Sequence, residues 1–153
     1  MSDSLETTID KFTFRVATDR LYSSEGLWVF WLEPRGNNRV RIGVSDYLQQ
    51  HSGDCAFATV KPVGTTLKVG DELASLETIK VNLALSSPVS GTIVSVNGDL
   101  ELSPERVNHS PYAEGWLAEV QTSSWEAERA ALLEAAAYFD VMRKLARQEL
   151  DAP

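Results

Sequence analysis

SLETIKVNLALSSPVSG, residues Ser75–Gly91, reads as two strands folded back on each other about Ile79-Lys80. Leu73, Ala74, Leu76, Leu83 and Leu85 can anchor such a hairpin in a core while Glu77 and Lys80 stay in water. Two-residue hairpin turns favour Asn, Asp or Gly, which accept positive φ, and Ile-Lys offers none of them. The tip breaks a local rule with no structural gain visible in the sequence, and such places are where function is expected.

The flanks of this hairpin resemble each other. PVGTTLKVGDEL from Pro62 and PVSGTIVSVNGDLEL from Pro88 superpose with Gly64 on Gly91, Thr65 on Thr92, Leu67 on Val94 and Val69 on Val96; one added residue aligns Gly70-Asp71 with Gly98-Asp99. A solenoid needs about three or more units. Two β-units suit instead a flattened barrel of approximate two-fold symmetry, with Lys80 nearly midway between them on a protruding hairpin.

Further out, short β-rich runs are broken by glycine and proline, which favours an antiparallel sandwich or barrel over alternating α/β units. Expected strands are Phe12–Ala17, Leu27–Glu33, Arg39–Val44, Ala56–Val60, Glu72–Thr78, Val81–Ser86, Gly91–Val96 and Trp116–Glu119. Ser45–Gln50 reads as a short helix with Ser45 as N-cap and Gly53 beyond its end. Ser123-x-x-Glu126 is a capping-box pattern, and Leu132, Leu133, Ala136, Phe139, Met142 and Leu145 recur at helical spacing. A long amphipathic helix is expected there, its stripe packed on the β-domain or offered to a partner. The organisation is thus a flexible tail over 1–10, a β-domain over 11–122 and a C-terminal helix over 123–151.

The chain has 153 residues, the size of one compact domain, with 43% apolar and 24% charged residues. Its formal net charge of −8 argues against a nucleic-acid partner, because phosphate binding wants a basic face. Steering toward basic partners and plain solubility both fit that charge. No window reaches the roughly 18–20 apolar residues of a membrane span, and MSDSLETTIDK lacks the order of a signal peptide, so a cytoplasmic protein is expected. Cys55, the single cysteine, permits no internal disulfide, and its run CAFATV suits a buried thiol.

Schiff-base or general-base work needs a desolvated lysine, whereas a turn lysine keeps a reference pKa near 10.4. Such a residue suits modification, because an enzyme can reach it from every side and join its amine to a carboxylate. An ordinary solvated lysine remains the other reading. No serine-histidine-acid set, phosphate-cradling glycine loop or zinc spacing is present, which disfavours an enzyme acting alone. His51 and His109 stand apart with no ligand-spaced partners; His109 reads as a surface or cap residue or as a contact to whatever Lys80 carries. Glu101, Glu105, Glu114 and Glu119 read as a solvated acidic face or a docking patch.

GDELASLETIKVNLALSSPVSGTIVSVN resembles the lipoyl-attachment hairpin. VRIGVSDYLQQHSGDCAFATVKPVGTTLKVGD and NHSPYAEGWL extend the resemblance, in order, to the H protein of the glycine cleavage system. The resemblance implies a mainly β, hammerhead-like barrel-sandwich hybrid with short helices. It also implies Lys80 as the residue acylated by lipoic acid, to give N6-lipoyllysine, with Glu77 at the acidic position lipoyl domains carry three residues earlier. Ile79 and Val81 speak against a biotin carrier, which usually shows methionine on both sides of its lysine. The protein is then a non-catalytic carrier, modified by a lipoate-protein ligase or the lipoyl synthesis machinery.

Departures from the family cluster near the lysine: Gly26-Leu27-Trp28 where H-E-W is usual, Val81-Asn82-Leu83-Ala84-Leu85 where small polar residues are usual, and Gly98 after Val96-Asn97. They suggest the H-protein-like lipoate-binding proteins of bacterial sulfur oxidation, which work with a heterodisulfide-reductase-like complex. The alternative is a glycine cleavage H protein carrying an aminomethyl group between glycine decarboxylase, aminomethyltransferase and dihydrolipoyl dehydrogenase. An unmodified interaction module is the remoter one.

Overall fold

The computed structural model describes residues 3–32 and 36–151. Its strands are β1 (Ser4–Ile9), β2 (Phe12–Ala17), β3 (Leu21–Tyr22), β4 (Leu27–Trp31), β5 (Arg39–Val44), β6 (Cys55–Val60), β7 (Thr66–Leu67), β8 (Glu72–Thr78), β9 (Asn82–Ser86), β10 (Gly91–Val96) and β11 (Ala118–Thr122). The helices are α1 (Asp46–Ser52), α2 (Arg106–His109), α3 (Trp125–Arg129) and α4 (Ala135–Asp151), with a 3-10 turn at Gly98–Glu101. All pairing is antiparallel, in sheets of order β1-β2, β3-β4-β5-β11-β10-β7 and β6-β8-β9. The expected mainly β class is the one observed.

The main core fills the space between the larger two sheets, with Val29, Ile42, Val44, Ile93 and Val120 from one and Leu73, Leu76 and Leu85 from the other. Each such side chain contributes about 1.5–3 kcal/mol by leaving water. Strand β4 is apolar on both faces: Leu27 and Val29 enter this core, whereas Trp28 points the other way, into a second cluster with Phe14, Val16, Tyr138 and Met142. Gly43 lies opposite Trp28 on β5, and a Cβ there would meet the indole ring at 2.4 Å, so the bare backbone forms its floor.

The repeat meets across its own symmetry. Thr66 pairs with Thr92, and the Ile93 N–H donates to the Thr65 carbonyl at 2.9 Å. The offset that lays Thr65 on Thr92 also turns the pair 66/92 into 93/65, as an approximate two-fold requires.

Four expectations are corrected. Residues 1–10 are not a tail over their described part: from Ser4 the chain forms β1, paired along β2 through a tight turn in which Asp10 takes φ 58°. Only Leu5 and Ile9 of SLETTI bring large apolar side chains inward, too sparse a pattern to announce a strand. The C-terminal helix over 123–151 is broken. Leu133 exchanges two backbone hydrogen bonds of 2.8 Å with Tyr22, and this bridge pulls the chain extended between α3 and α4. No capping box forms at Ser123, because α3 starts one residue later, with Ser124 as an N-cap that makes no side-chain hydrogen bond; Glu128 turns its carboxylate to the N–H and hydroxyl of Ser90, at 2.7 and 2.6 Å. Glu33, the expected end of the second strand, lies outside the described residues, and β11 runs Ala118–Thr122 rather than Trp116–Glu119. Among the described residues no helix is long and apolar enough to cross a membrane.

Candidate functional site

Lys80 stands at the exposed tip of the β8-β9 hairpin, held by a neighbour the sequence reading passed over. Glu77 pairs with Asn82, and the Thr78 N–H donates to the Val81 carbonyl at 2.9 Å. The reverse bond is made by a side chain: Thr78 Oγ1 accepts from the Lys80 N–H at 3.1 Å and the Val81 N–H at 2.9 Å. The same hydroxyl lies 2.7 Å from the Ser52 carbonyl, to which it donates. Neither Ile79 nor Lys80 needs positive φ, so the tip dispenses with Asn and Gly. A threonine just before a turn is the signal that could have announced this.

The lysine is exposed but not unaided. Its Nζ donates to the His51 carbonyl at 3.1 Å, at the C-terminal end of α1, where a cation is favoured by the helix dipole. Its stem runs over Gly53, whose absent Cβ would lie 3.5–3.6 Å from Lys80 Cδ and Cβ, and whose φ of 88° suits glycine. Ser45 caps the other end of α1, with Oγ accepting from Leu48 N–H at 3.2 Å, as expected.

The loop from α1 to β6 is clamped by Asn108, which donates to the Gly53 carbonyl at 2.9 Å and accepts from the Cys55 N–H at 2.9 Å. The NHSPY block thus reaches the lysine's platform through Asn108, while His109 is exposed at the end of α2. Glu77 is also exposed, level with Phe57 across the sheet. The acidic face is only partly solvated: Glu119 is buried beside Arg41, at 2.6 Å, and Glu114 pairs with Arg106. Cys55 is buried, and burial raises its thiol pKa, which suits an inert residue. No group of residues that could hold a metal occurs among the described ones.

His51 joins the lysine's platform to a cleft of about 500 Å³ lined by Ser24, Glu25, Tyr47, Leu48, His51, Leu83, Leu145, Gln148 and Glu149. Its imidazole stacks on Tyr47 at 5.7 Å, and Nδ1 lies 2.5 Å from the Glu149 carboxylate, which also accepts from Tyr47 Oη. Leu83 is a wall of this cleft and Leu85 a core residue, so packing accounts for the two leucines of the run after the lysine, while Val81 and Ala84 stay exposed.

An exposed lysine on a rigid hairpin beside a cleft is a site that can be modified and can carry a load. The comparisons with known proteins say which kind. The glycine cleavage H-protein family profile matches residues 20–145. The glycine cleavage system H protein of Serratia proteamaculans is 41% identical over 123 residues, spanning 80% of this chain and 93% of that one. That of Coprothermobacter proteolyticus is 45% identical over 102 residues, 67% of this chain and 78% of its own. A solved glycine cleavage system H protein from Mycobacterium marinum superposes with a TM-score of 0.68 at 28% identity, covering 79% of this chain and 94% of that one. The chain belongs to the glycine cleavage H-protein family, non-catalytic proteins that carry a covalently attached lipoyl-lysine. The sulfur-oxidation subclass expected from the sequence has no counterpart in these matches.

Proposed function

We propose that Lys80 bears the lipoyl group and that the protein is the carrier of a glycine cleavage system, moving an aminomethyl group between glycine decarboxylase and aminomethyltransferase, with dihydrolipoyl dehydrogenase restoring the arm. The observation that carries this reading is the cleft next to the lysine. Glu25 and Glu149 are among its lining, and no Lys or Arg is among the described residues that form it. A cationic aminomethyl load is stabilised in such a place, whereas an anionic sulfur oxyacid is repelled.

The lipoyl dithiol, when bound, supplies the sulfur that accepts and surrenders the load. The chain's residues do the rest. Thr78 fixes the turn so that the tether starts from a defined point, and α1 with Asn108 supports it from below. Glu25 and Glu149 favour positive charge, and Leu48, Leu83 and Leu145 give the cleft its apolar walls.

Intact mass before and after treatment with a lipoate-protein ligase tests the attachment site: one lipoyl unit is gained by the native protein and none by Lys80→Arg. The lipoylated protein is then given glycine and glycine decarboxylase, and aminomethylation of the arm is followed by mass. A lipoyl unit that persists in Lys80→Arg overturns the site, and a lipoylated protein that glycine decarboxylase ignores overturns the cargo.

A further inference from the structure

A second cavity, of about 530 Å³, lies between the β1-β2 ribbon, strands β3 and β4, and the junction of α3 with α4. It shares no lining residue with the cleft beside Lys80. Helix α4 reaches both: Ala135 and Ala136 of its first turn line this cavity, and Leu145, Gln148 and Glu149 line the other, roughly 15–20 Å further along. Leu5, Thr18 and Asp19 belong to the wall and precede residues 20–145, the stretch that matches the H-protein profile. The space is therefore built in part by chain outside that match, and its volume is that of a small-molecule site.

The lining has two characters. Leu5, Leu21, Val29 and Ala135 make it apolar on one side. On the other, Trp31 and Trp125 meet with ring centroids 5.5 Å apart, and the Arg129 guanidinium lies 4.6 Å from the first ring and 5.9 Å from the second. Trp125 is 2% exposed, yet neither its indole N–H nor that of Trp31 has a hydrogen-bond partner among the described residues. Buried donors are normally paired, so two unpaired ones beside a cation make this side positive and short of acceptors. Arg129 is itself lightly held: its bridge to exposed Glu126 spans 3.8 Å, a geometry that contributes little. The acidic groups of the wall do not cancel it. Asp19 lies 2.7 Å from Arg20, whose guanidinium also donates to the Tyr112 carbonyl, and Glu134 is exposed, where water and salt screen it.

We infer that this cavity binds a medium-chain monocarboxylate, with its carboxylate at Arg129 and the two indoles and its chain along Leu5, Leu21 and Val29. A carboxylate matches the guanidinium fork in charge and in planar shape, and the unpaired indole dipoles favour it further. An inorganic anion would leave the apolar side unused, and an uncharged alcohol would leave the guanidinium without a counter-charge. The site is independent of what Lys80 carries.

The test is isothermal titration calorimetry of sodium octanoate into the full-length native protein and into Lys80→Arg, which can bear no acyl arm. Both are expected to bind one octanoate with a Kd below about 1 mM, and 1-octanol and inorganic phosphate at least about tenfold more weakly. Arg129→Gln should lose at least about tenfold in affinity with the loss of the charge-assisted contact. Ala136→Trp, at an exposed position on the wall, should block binding by filling the space, and melting temperatures check that both variants keep the fold. In nitrogen-edited NMR spectra the Trp31 and Trp125 indole resonances are expected to move with octanoate, while that of Trp28, which already donates to the Pro111 carbonyl at 2.9 Å, stays in place. No binding at millimolar octanoate, native affinity in Arg129→Gln or Ala136→Trp, or equal affinity for octanol or phosphate overturns the site. Shifts confined to Tyr47 and Leu83 place the ligand in the cleft beside the lysine and overturn it as well.

Discussion

Ser45 holds together the two helices nearest the lysine's platform, and its removal is calculable. The hydroxyl is fully buried, accepts from Leu48 N–H at 3.2 Å and lies 2.9 Å from Tyr138 Oη on α4. Ser45→Ala removes the N-cap of α1, at about 1 kcal/mol. It also leaves the buried Tyr138 hydroxyl without this partner, at about 1–3 kcal/mol. The loss is about 2–4 kcal/mol, which for a chain of this size lowers the melting temperature by about 5–15 °C. Urea titration of native, Ser45→Ala, Tyr138→Phe and double-variant proteins gives the values independently. Because the double variant has no hydroxyl left to orphan, it should be scarcely less stable than Ser45→Ala, with a coupling of about 1 kcal/mol or more. A loss below about 1 kcal/mol, or additivity within about 0.5 kcal/mol, refutes the reasoning.

Thr78→Val keeps the shape of the turn but removes the acceptor of two N–H groups, so amide exchange at Lys80 and Val81 should quicken at least tenfold, read by NMR. Gly91→Ala would place a Cβ 2.2 Å from the Gln121 carbonyl oxygen between β10 and β11, and should cost about 2–3 kcal/mol in urea unfolding. The tyrosines Tyr22, Tyr47, Tyr112 and Tyr138 all have raised pKa values, chiefly through burial, Tyr112 to about 12. The unfolded chain loses these protons near pH 10 and the folded one later. Their contribution to stability is therefore full below pH 10 and falls as pH rises through 10 to 12, so melting temperature should drop there, with tyrosinate absorbance appearing only on unfolding. A native protein whose tyrosines titrate freely near pH 10 would contradict the burial.

The hairpin's alternating apolar residues, the repeat and the bounds of β2, β5, β8 and β10 were legible because those strands bury one regular face, and period-two patterning reports that directly. The Ser45 cap and Gly53 stop of α1 were legible for a similar reason, since capping is local chemistry. Strand β1 was not, because its stability comes from pairing with β2 and lying under α4 rather than from its own composition. The break between α3 and α4 was equally hidden: Ala, Leu and Glu favour helix throughout, and only the bridge to Tyr22 overrides that propensity.

The functional site divides along the same line. The identity of Lys80, its place at a turn and its kinship to a carrier family belong to the sequence, because residue type and order along one hairpin are one-dimensional facts. That Thr78 closes the turn, that the ammonium rests on the end of α1, that Asn108 steadies the loop beneath it, and that Glu25 and Glu149 face the same cleft were decided by folding alone. Those contacts join residues from distant parts of the chain, and no local pattern encodes the distance at which they meet.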